Sequence, residues 1–366
     1  MASEKLHKIV LDVMGADGGE ECIVDGGLEA ARKHPDSLHM ILVGRRDRIE
    51  AVLNTKEDVP ANISIEHAPD VVSMQMSATD GVRARQSSIH IGLKLVKAGQ
   101  AEAFVSPGNT GAVMATSLLT LGRIEGVSRP AIASAFPTST GNPTLVLDCG
   151  ANADCKPAHI SQFAIMGSVF AQVIFNRESP RVGLISIGEE RSKGNELIFN
   201  SRRLLKDSDI NFVGNIEGRD ILSGMVDVAV TDGFTGNILL KFAESIKPMM
   251  VSAMQRQIQT NIFSRMGAVL LLPFLKRMRN RFDYAESGGA PLLGVNGAVI
   301  ICHGSSNARA IGNAVGVAYG MVRCRMVDRI REELVTNHLG YFNGTKAKGS
   351  NNRNGVVYST EANDER

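Results

Sequence analysis

The feature that most constrains this chain is an alternation. Short β-branched runs recur along it, and helix-patterned stretches separate them. The runs are HKIVLDV (7–13), HMILVG (39–44), ISIEHA (63–68), AEAFVS (101–106), AIASAF (131–136), TLVLDC (144–149), RVGLISI (181–187), NFVGNI (211–216), VDVAVTD (226–232) and GAVIICH (297–303). Helical patterns lie at Ile23–Lys33, Ile89–Lys97, Gly111–Leu121, His159–Phe175 and Asn195–Leu205. Continuous apolar strands spaced by helices predict parallel strands covered on both faces, an α/β fold.

Six of the runs end directly in small polar loops: DVMGADGG (12–19), SPGNTGA (106–112), DCGANAD (148–154), SIGEERSKGNE (186–196), TDGFTGN (231–237) and HGSSNAR (303–309). In open parallel sheets ligands bind outside the carboxyl ends of the strands, where such loops gather. Glycine lets backbone amides approach a ligand, and a following helix N-terminus favours an anion. Turn-making alone explains one such loop, but it explains six at equivalent positions poorly.

Several chemistries are missing. The chain has no GxxxxGK[ST], no strand followed by GxGxxG, no HExxH and no GxSxG. The odd count of five cysteines without CxxC spacing suggests neither zinc nor a disulfide framework. Cys302 and His303 are strand neighbours that point to opposite faces, so they make a poor nucleophile–base pair. A net charge of +2 and scarce aromatics give no platform for nucleic acid. What remains is an anion site of backbone N–H groups, Ser, Thr and Asn side chains and a few charges, with no metal or cofactor expected. Ser87 and Ser88 would open one helix, with N-capping as their plain alternative, and Asn109 and Thr110 would open the next.

In combination the motifs LDVMGADGG, VRARQSSI, SPGNTGAVMA, LDCGANADCKP, SIGEERSKGNE, VTDGFTGNILLK, SGGAPLLGVNG and CHGSSNARA resemble the bacterial phosphate acyltransferases of phospholipid synthesis. The resemblance runs from about His7 to Leu339. Two departures touch backbone geometry: Val13 and Ala16 change the opening motif, and Pro107 stands between Ser106 and Gly108. The resemblance implies a three-layer α/β/α sandwich like that of the isocitrate and isopropylmalate dehydrogenases, a homodimer and a peripheral membrane habit. It also implies acyl-carrier protein as acyl donor, inorganic phosphate as acceptor, and a membrane glycerol-3-phosphate acyltransferase as consumer of the product.

For such a reaction Lys193, Ser87, Ser88, Asn109 and Thr110 are expected to bind phosphate or the carbonyl oxyanion. Asp12, Asp232 and Glu189 would orient donors or accept a proton from phosphate. His303 would protonate the leaving thiolate, although a structural histidine fits as well. Asp17, Asp148, Asn152 and Asn195 join the binding set, and Asn237 the catalytic one. An NAD-dependent dehydrogenase, a short-chain acyl-CoA phosphotransferase and a non-enzymatic membrane scaffold stay open as alternatives.

One expected domain covers 1–342, with a helical membrane or dimer element at about 245–285 and a polar, disordered tail at 343–366. Within that element MGAVLLLPFLKRMRNR is too short to span a bilayer. From Arg256 to Arg281 there are six basic residues and no acid. Buried core and dimer contact are the plain readings. An anchor on anionic lipid is the sharper one, through Leu270, Leu271, Leu272, Phe274, Lys276 and Arg277. No signal-peptide run is seen at MASEKLHKIV, so the expected location is the cytoplasm, at the inner face of the cell membrane.

Overall fold

A computed structural model describes residues 5–258, 266–268, 270–271, 274, 288–337, 341–342 and 345–346. Two sheets carry the fold. The first contains β1 (His7–Asp12), β2 (Leu38–Gly44), β3 (Ile63–His67), β4 (Ala103–Ser106), β5 (Ala131–Ile132), β11 (Ala290–Leu293) and β12 (Ala298–Ile301), in the order β3-β2-β1-β4-β12-β11-β5. Its first five strands in that order are parallel, while β11 runs antiparallel to both β12 and β5. The second contains β6 (Ser134–Phe136), β7 (Thr144–Leu147), β8 (Val182–Ile185), β9 (Phe212–Ile216) and β10 (Val228–Val230), in the order β6-β7-β10-β8-β9. All its pairs are parallel except β6 with β7.

Strand alternation explains the layers. Ile9 and Leu11 face one hydrophobic core and Val10 the other, because successive side chains leave opposite faces. Leu145 and Leu147 against Val146 repeat this in the second sheet, as do Val228 and Val230 against Ala229. Both cores draw on both sheets. Helices α1 (Gly19–Lys33), α2 (Arg46–Leu53) and α6 (Pro157–Ile174) supply the first core, and α4 (Ser88–Lys97) and α5 (Thr110–Leu121) the second, with α3 (Ala78–Arg83) packed on α5. The expected α/β sandwich is therefore present, but its strands divide between two sheets.

The run at 131–136 shows where the division falls. It is read from sequence as one strand, yet β5 pairs with β11 and β6 pairs with β7. Between them the Ala133 N–H donates to Pro291 O at 2.9 Å, still on the first sheet. Beyond it, pairing passes to β7. The β11 strand has no counterpart in the sequence reading. It is short, contains Pro291, and follows Gly288 and Gly289, both at positive φ.

Helix α7 (Glu196–Lys206) follows β8, α8 (Gly218–Ser223) follows β9, and α9 (Gly233–Ile258) follows β10. The last is 26 residues long and passes through Pro248. It leaves Phe234, Ile238, Phe242, Met249 and Met250 exposed. Helices α10 (Ala308–Arg323) and α11 (Met326–Thr336) close the described fold over the first core. Of the proposed lipid-contact residues, Leu270, Leu271 and Phe274 are exposed, Leu270 at 81%, so they do not sit in the core. Leu272, Lys276 and Arg277 lie outside the described residues, as does the expected tail apart from Thr345 and Lys346. No helix among the described residues is long and apolar enough to cross a membrane.

Candidate active site

The candidate residues gather at the carboxyl ends of the parallel strands, in two groups. The first is centred on Asp12, the last residue of β1, which is fully buried. The strand order places β1 beside β4, so Ser106 at the end of β4 reaches it and donates to Asp12 Oδ2 at 2.7 Å. The Met14 N–H donates to Oδ1 at 3.0 Å, and the Ser88 side chain also bonds the carboxylate. Burial nonetheless outweighs these bonds and pushes the Asp12 carboxyl up to about 6.

Two helix starts flank this carboxyl. Ser87 caps α4 by accepting from the His90 N–H at 3.3 Å, while Ser88 is its first residue. Asn109 caps α5 through Ala112 N at 3.0 Å, and its amide donates to the carbonyls of Ser73, Met74 and Met76. Capping is thus real for Ser87 and Asn109, and in each case it aims a helix N-terminus at the same strand ends. Thr110 is exposed in the first turn of α5. The Gly108 N–H is held by Ser106 Oγ at 3.1 Å, and a Cβ there would lie 3.4 Å from Asp12 Oδ2. Asp17 and His303 are exposed on neighbouring loops, joined where Asp17 N donates to Gly304 O at 2.9 Å. His303 Nδ1 lies 2.8 Å from Ser305 Oγ, which fixes the ring over its own loop.

The second group belongs to the second sheet. Asp148 follows β7 and accepts from the N–H groups of Ile132, Gly150, Ala151 and Asn152 and from the Asn152 side chain, at 2.7–3.2 Å. Its carboxyl is raised by burial despite those donors. Asp148 and Asn152 thus shape their loop. Asp232, after β10, accepts from Thr235 N at 2.8 Å and from Thr235 Oγ1 at 3.0 Å, opening α9 in the manner of a cap. Asn237 is exposed on the first turns of α9, against Gly150. Close approach is built in here, since a Cβ on Gly236 would collide with the Asp148 carbonyl.

The loop after β8 carries Glu189, Lys193 and Asn195, all exposed. Asn195 caps α7 through Ile198 N at 3.0 Å, and Glu189 pairs with Arg219 at 3.1 Å. Asn215, near the end of β9, holds this loop by donating to Glu190 O and Lys193 O at 3.3 and 3.2 Å. Ser186 Oγ and Asn215 Oδ1 are buried there without a hydrogen-bond partner. The sequence reading did not select Ser106, Ser186 or Asn215 as site residues. Ser106 and Ser186 end strands inside recognised loops, which is a usable signal; nothing in the sequence marks Asn215.

Two cysteines near the strand ends, Cys149 and Cys302, are buried. Burial pushes the Cys302 thiol up to about 12 and the Cys149 thiol higher still. Among the described residues, no three His, Cys, Asp or Glu side chains are placed to hold a metal ion.

Helix starts and polar loops thus gather at the parallel strand ends of an α/β fold, the place where such folds take their ligands. A phosphotransacetylase from Streptococcus pyogenes superposes with a TM-score of 0.60 at 17% identity, covering 87% of this chain and 94% of that one. A protein described as a 4-hydroxythreonine-4-phosphate dehydrogenase from Salmonella typhimurium gives 0.53 at 11% identity, covering 87% and 100%. At such identities the likeness concerns the fold. The family is shown by sequence: residues 7–329 match the model of the fatty acid synthesis protein family, and the chain belongs to it. The phosphate acyltransferase of Pelotomaculum thermopropionicum is 47% identical over 328 residues, 89% of this chain and 95% of the relative. That of Geobacter sulfurreducens is 43% identical over 336 residues, 92% and 96%.

Proposed function

We propose that this chain transfers a fatty acyl group from acyl-[acyl-carrier protein] to inorganic phosphate, giving acyl phosphate for phospholipid synthesis. The observation that carries this reading is the match to named phosphate acyltransferases over about nine-tenths of the chain. The site chemistry agrees with it. A phosphate oxygen is itself the nucleophile, so the reaction needs no nucleophile from the protein, and the buried thiols of Cys149 and Cys302 are no obstacle.

A phosphate oxygen attacks the thioester carbonyl carbon, the carbonyl electrons move to oxygen, and their return expels the carrier thiolate. The proton lost by hydrogen phosphate passes to Asp232, and His303 supplies a proton to the sulfur. Holding both reactants together supplies up to about 7–11 kcal/mol against the barrier. The helix starts at Ser87, Ser88, Asn109 and Thr110, together with Lys193, bind phosphate and the carbonyl oxyanion. Asp12 orients Ser88 and Ser106 from below. Asp148, Asn152 and Asn195 hold the strand-end loops in place, while Asp17, Glu189 and Asn237 border the substrate.

The chain acts as a single domain over 1–342, as a homodimer, and docks on the anionic inner surface of the cell membrane. Exposed Leu270, Leu271 and Phe274 enter the interface, with Leu272, Lys276 and Arg277 beside them, so that acyl phosphate is released close to a membrane glycerol-3-phosphate acyltransferase. The 343–366 tail lies outside this domain. Support for docking comes from the apolar exposure of these three side chains and the basic run that follows them.

The test is Lys193→Ala. Because Lys193 is exposed, the variant should fold normally, and losing one charged donor should lower kcat about 10²–10³-fold. Wild-type turnover in the folded variant removes Lys193 from the mechanism.

A further inference from the structure

The opposite end of the second sheet carries a cationic cleft that acyl transfer does not use. Three turns line it: Thr140 and Asn142 between β6 and β7, Arg177 and Arg181 between α6 and β8, and Gly224 and Asp227 ahead of β10. Its volume is about 380 Å³. The cleft lies at the amino ends of β7, β8 and β10, whereas Asp148 and Asp232 follow the carboxyl ends of β7 and β10.

Its walls are fixed locally. Asn176 takes a left-handed φ of 53° after α6, and the following Arg177 N–H returns to Ala171 O at 3.2 Å. Gly224 has φ 77°, and a Cβ there would lie 2.6 Å from Thr140 Oγ1, so glycine lets the two walls approach. Arg181 is held on one wall: its N and Nε donate to Asp227 Oδ2 at 2.9 and 3.0 Å, and its Nη2 donates to Gly224 O at 2.9 Å.

Arg177 is not so held. Its Nε is buried and makes no hydrogen bond: it lies 3.5 Å from Asp227 Oδ1, on the carboxylate that Arg181 already occupies. One carboxylate leaves two guanidiniums with a net positive charge. Across the cleft, the exposed Asn142 side-chain amide has no hydrogen-bond partner among the described residues. A buried donor without an acceptor is costly, and a guanidinium fork matches a planar or tetrahedral oxyanion.

We propose that this cleft binds a small phosphate-type oxyanion, inorganic phosphate or a phosphomonoester, through Arg177 and Asn142. Both donors then find acceptors, and the surplus charge is neutralised.

The test is calorimetric titration of inorganic phosphate into the full-length wild type, Arg177→Gln, Asn142→Ala and Lys193→Ala, each checked for folding by circular dichroism. The expected result is a binding event that survives Lys193→Ala and weakens about tenfold or more in Arg177→Gln. Asn142→Ala, on an exposed hairpin, should weaken the same event. Repeating the titration with glycerol 2-phosphate separates the sources, since tighter binding than inorganic phosphate assigns a phosphomonoester. An event unchanged by both Arg177→Gln and Asn142→Ala, or none that survives Lys193→Ala, overturns the proposal. If the Arg177-sensitive event stands but no Lys193-sensitive one exists, phosphate binding at the acyl-transfer site fails instead.

Discussion

Replacing Asp12 by asparagine should stabilise the fold at neutral pH while weakening the chemistry. Burial raises this carboxyl from 3.8 to about 6, against hydrogen bonds from Ser88, Ser106 and Met14. Between those values the native chain still holds a proton that the unfolded chain has lost. Stability therefore falls as pH rises through this window, and above about 6 the cost of an ionised, buried carboxylate is complete. About two pH units at ~1.4 kcal/mol each make that cost about 3 kcal/mol. Asparagine keeps the shape, accepts from the Met14 N–H and offers two Nδ2–H donors to Ser106 Oγ and Ser88, whose hydroxyls then turn from donors into acceptors. With unfolding entropy of about 2.1 cal/mol/K per residue over 366 residues, 3 kcal/mol corresponds to about 4 °C in Tm. Scanning calorimetry from pH 4 to pH 8 reads this directly. Wild type and variant should melt together at the acid end and separate by about 4 °C above pH 6, the variant higher. A variant that melts with wild type at every pH, or below it at pH 8, refutes the assignment of a strained, buried charge.

Three further outcomes are expected. Gly236→Ala forces a Cβ into the Asp148 carbonyl, a backbone atom that cannot swing away, and should destabilise by about 3 kcal/mol or more in a melting experiment; an unchanged Tm contradicts the close packing of these loops. Under native conditions at pH 8, Cys149 and Cys302 should resist iodoacetamide in peptide mass spectra, because burial keeps both as thiols; rapid labelling of either contradicts this. Binding to anionic vesicles should be sensitive to salt and weakened by Leu271→Glu, read by co-sedimentation; equal binding returns this segment to a contact between protein chains.

Local chemistry was the legible part of the molecule. The apolar run through Ile9, Val10 and Leu11 announced a strand covered on two faces, and its alternation is what separates the two cores. Ser87, Asn109 and Asn195 were readable as helix starts because capping depends on a few consecutive residues. Long-range pairing was less accessible. Ser106 meets Asp12 across 94 positions only because β4 lies beside β1. Asn215 secures the Lys193 loop from a neighbouring strand, and its own surroundings in the chain show nothing unusual. The split at Ala133 was hidden because the run AIASAF carries no turn residue between its halves, and only the choice of partner strand divides them. Two prolines stand where sequence rules alone would not put them. Pro291 sits inside a paired strand, and Pro248 sits inside a helix that continues through it.

The central claim is acyl transfer to phosphate. Its most direct test follows acyl phosphate formation from a purified acyl-carrier-protein thioester, with and without inorganic phosphate, beside the same acyl chain on coenzyme A. The account predicts acyl phosphate and free carrier thiol in equal amounts, strictly dependent on phosphate and faster from the carrier thioester. Thiol release without phosphate, or product only from the coenzyme A thioester, contradicts it.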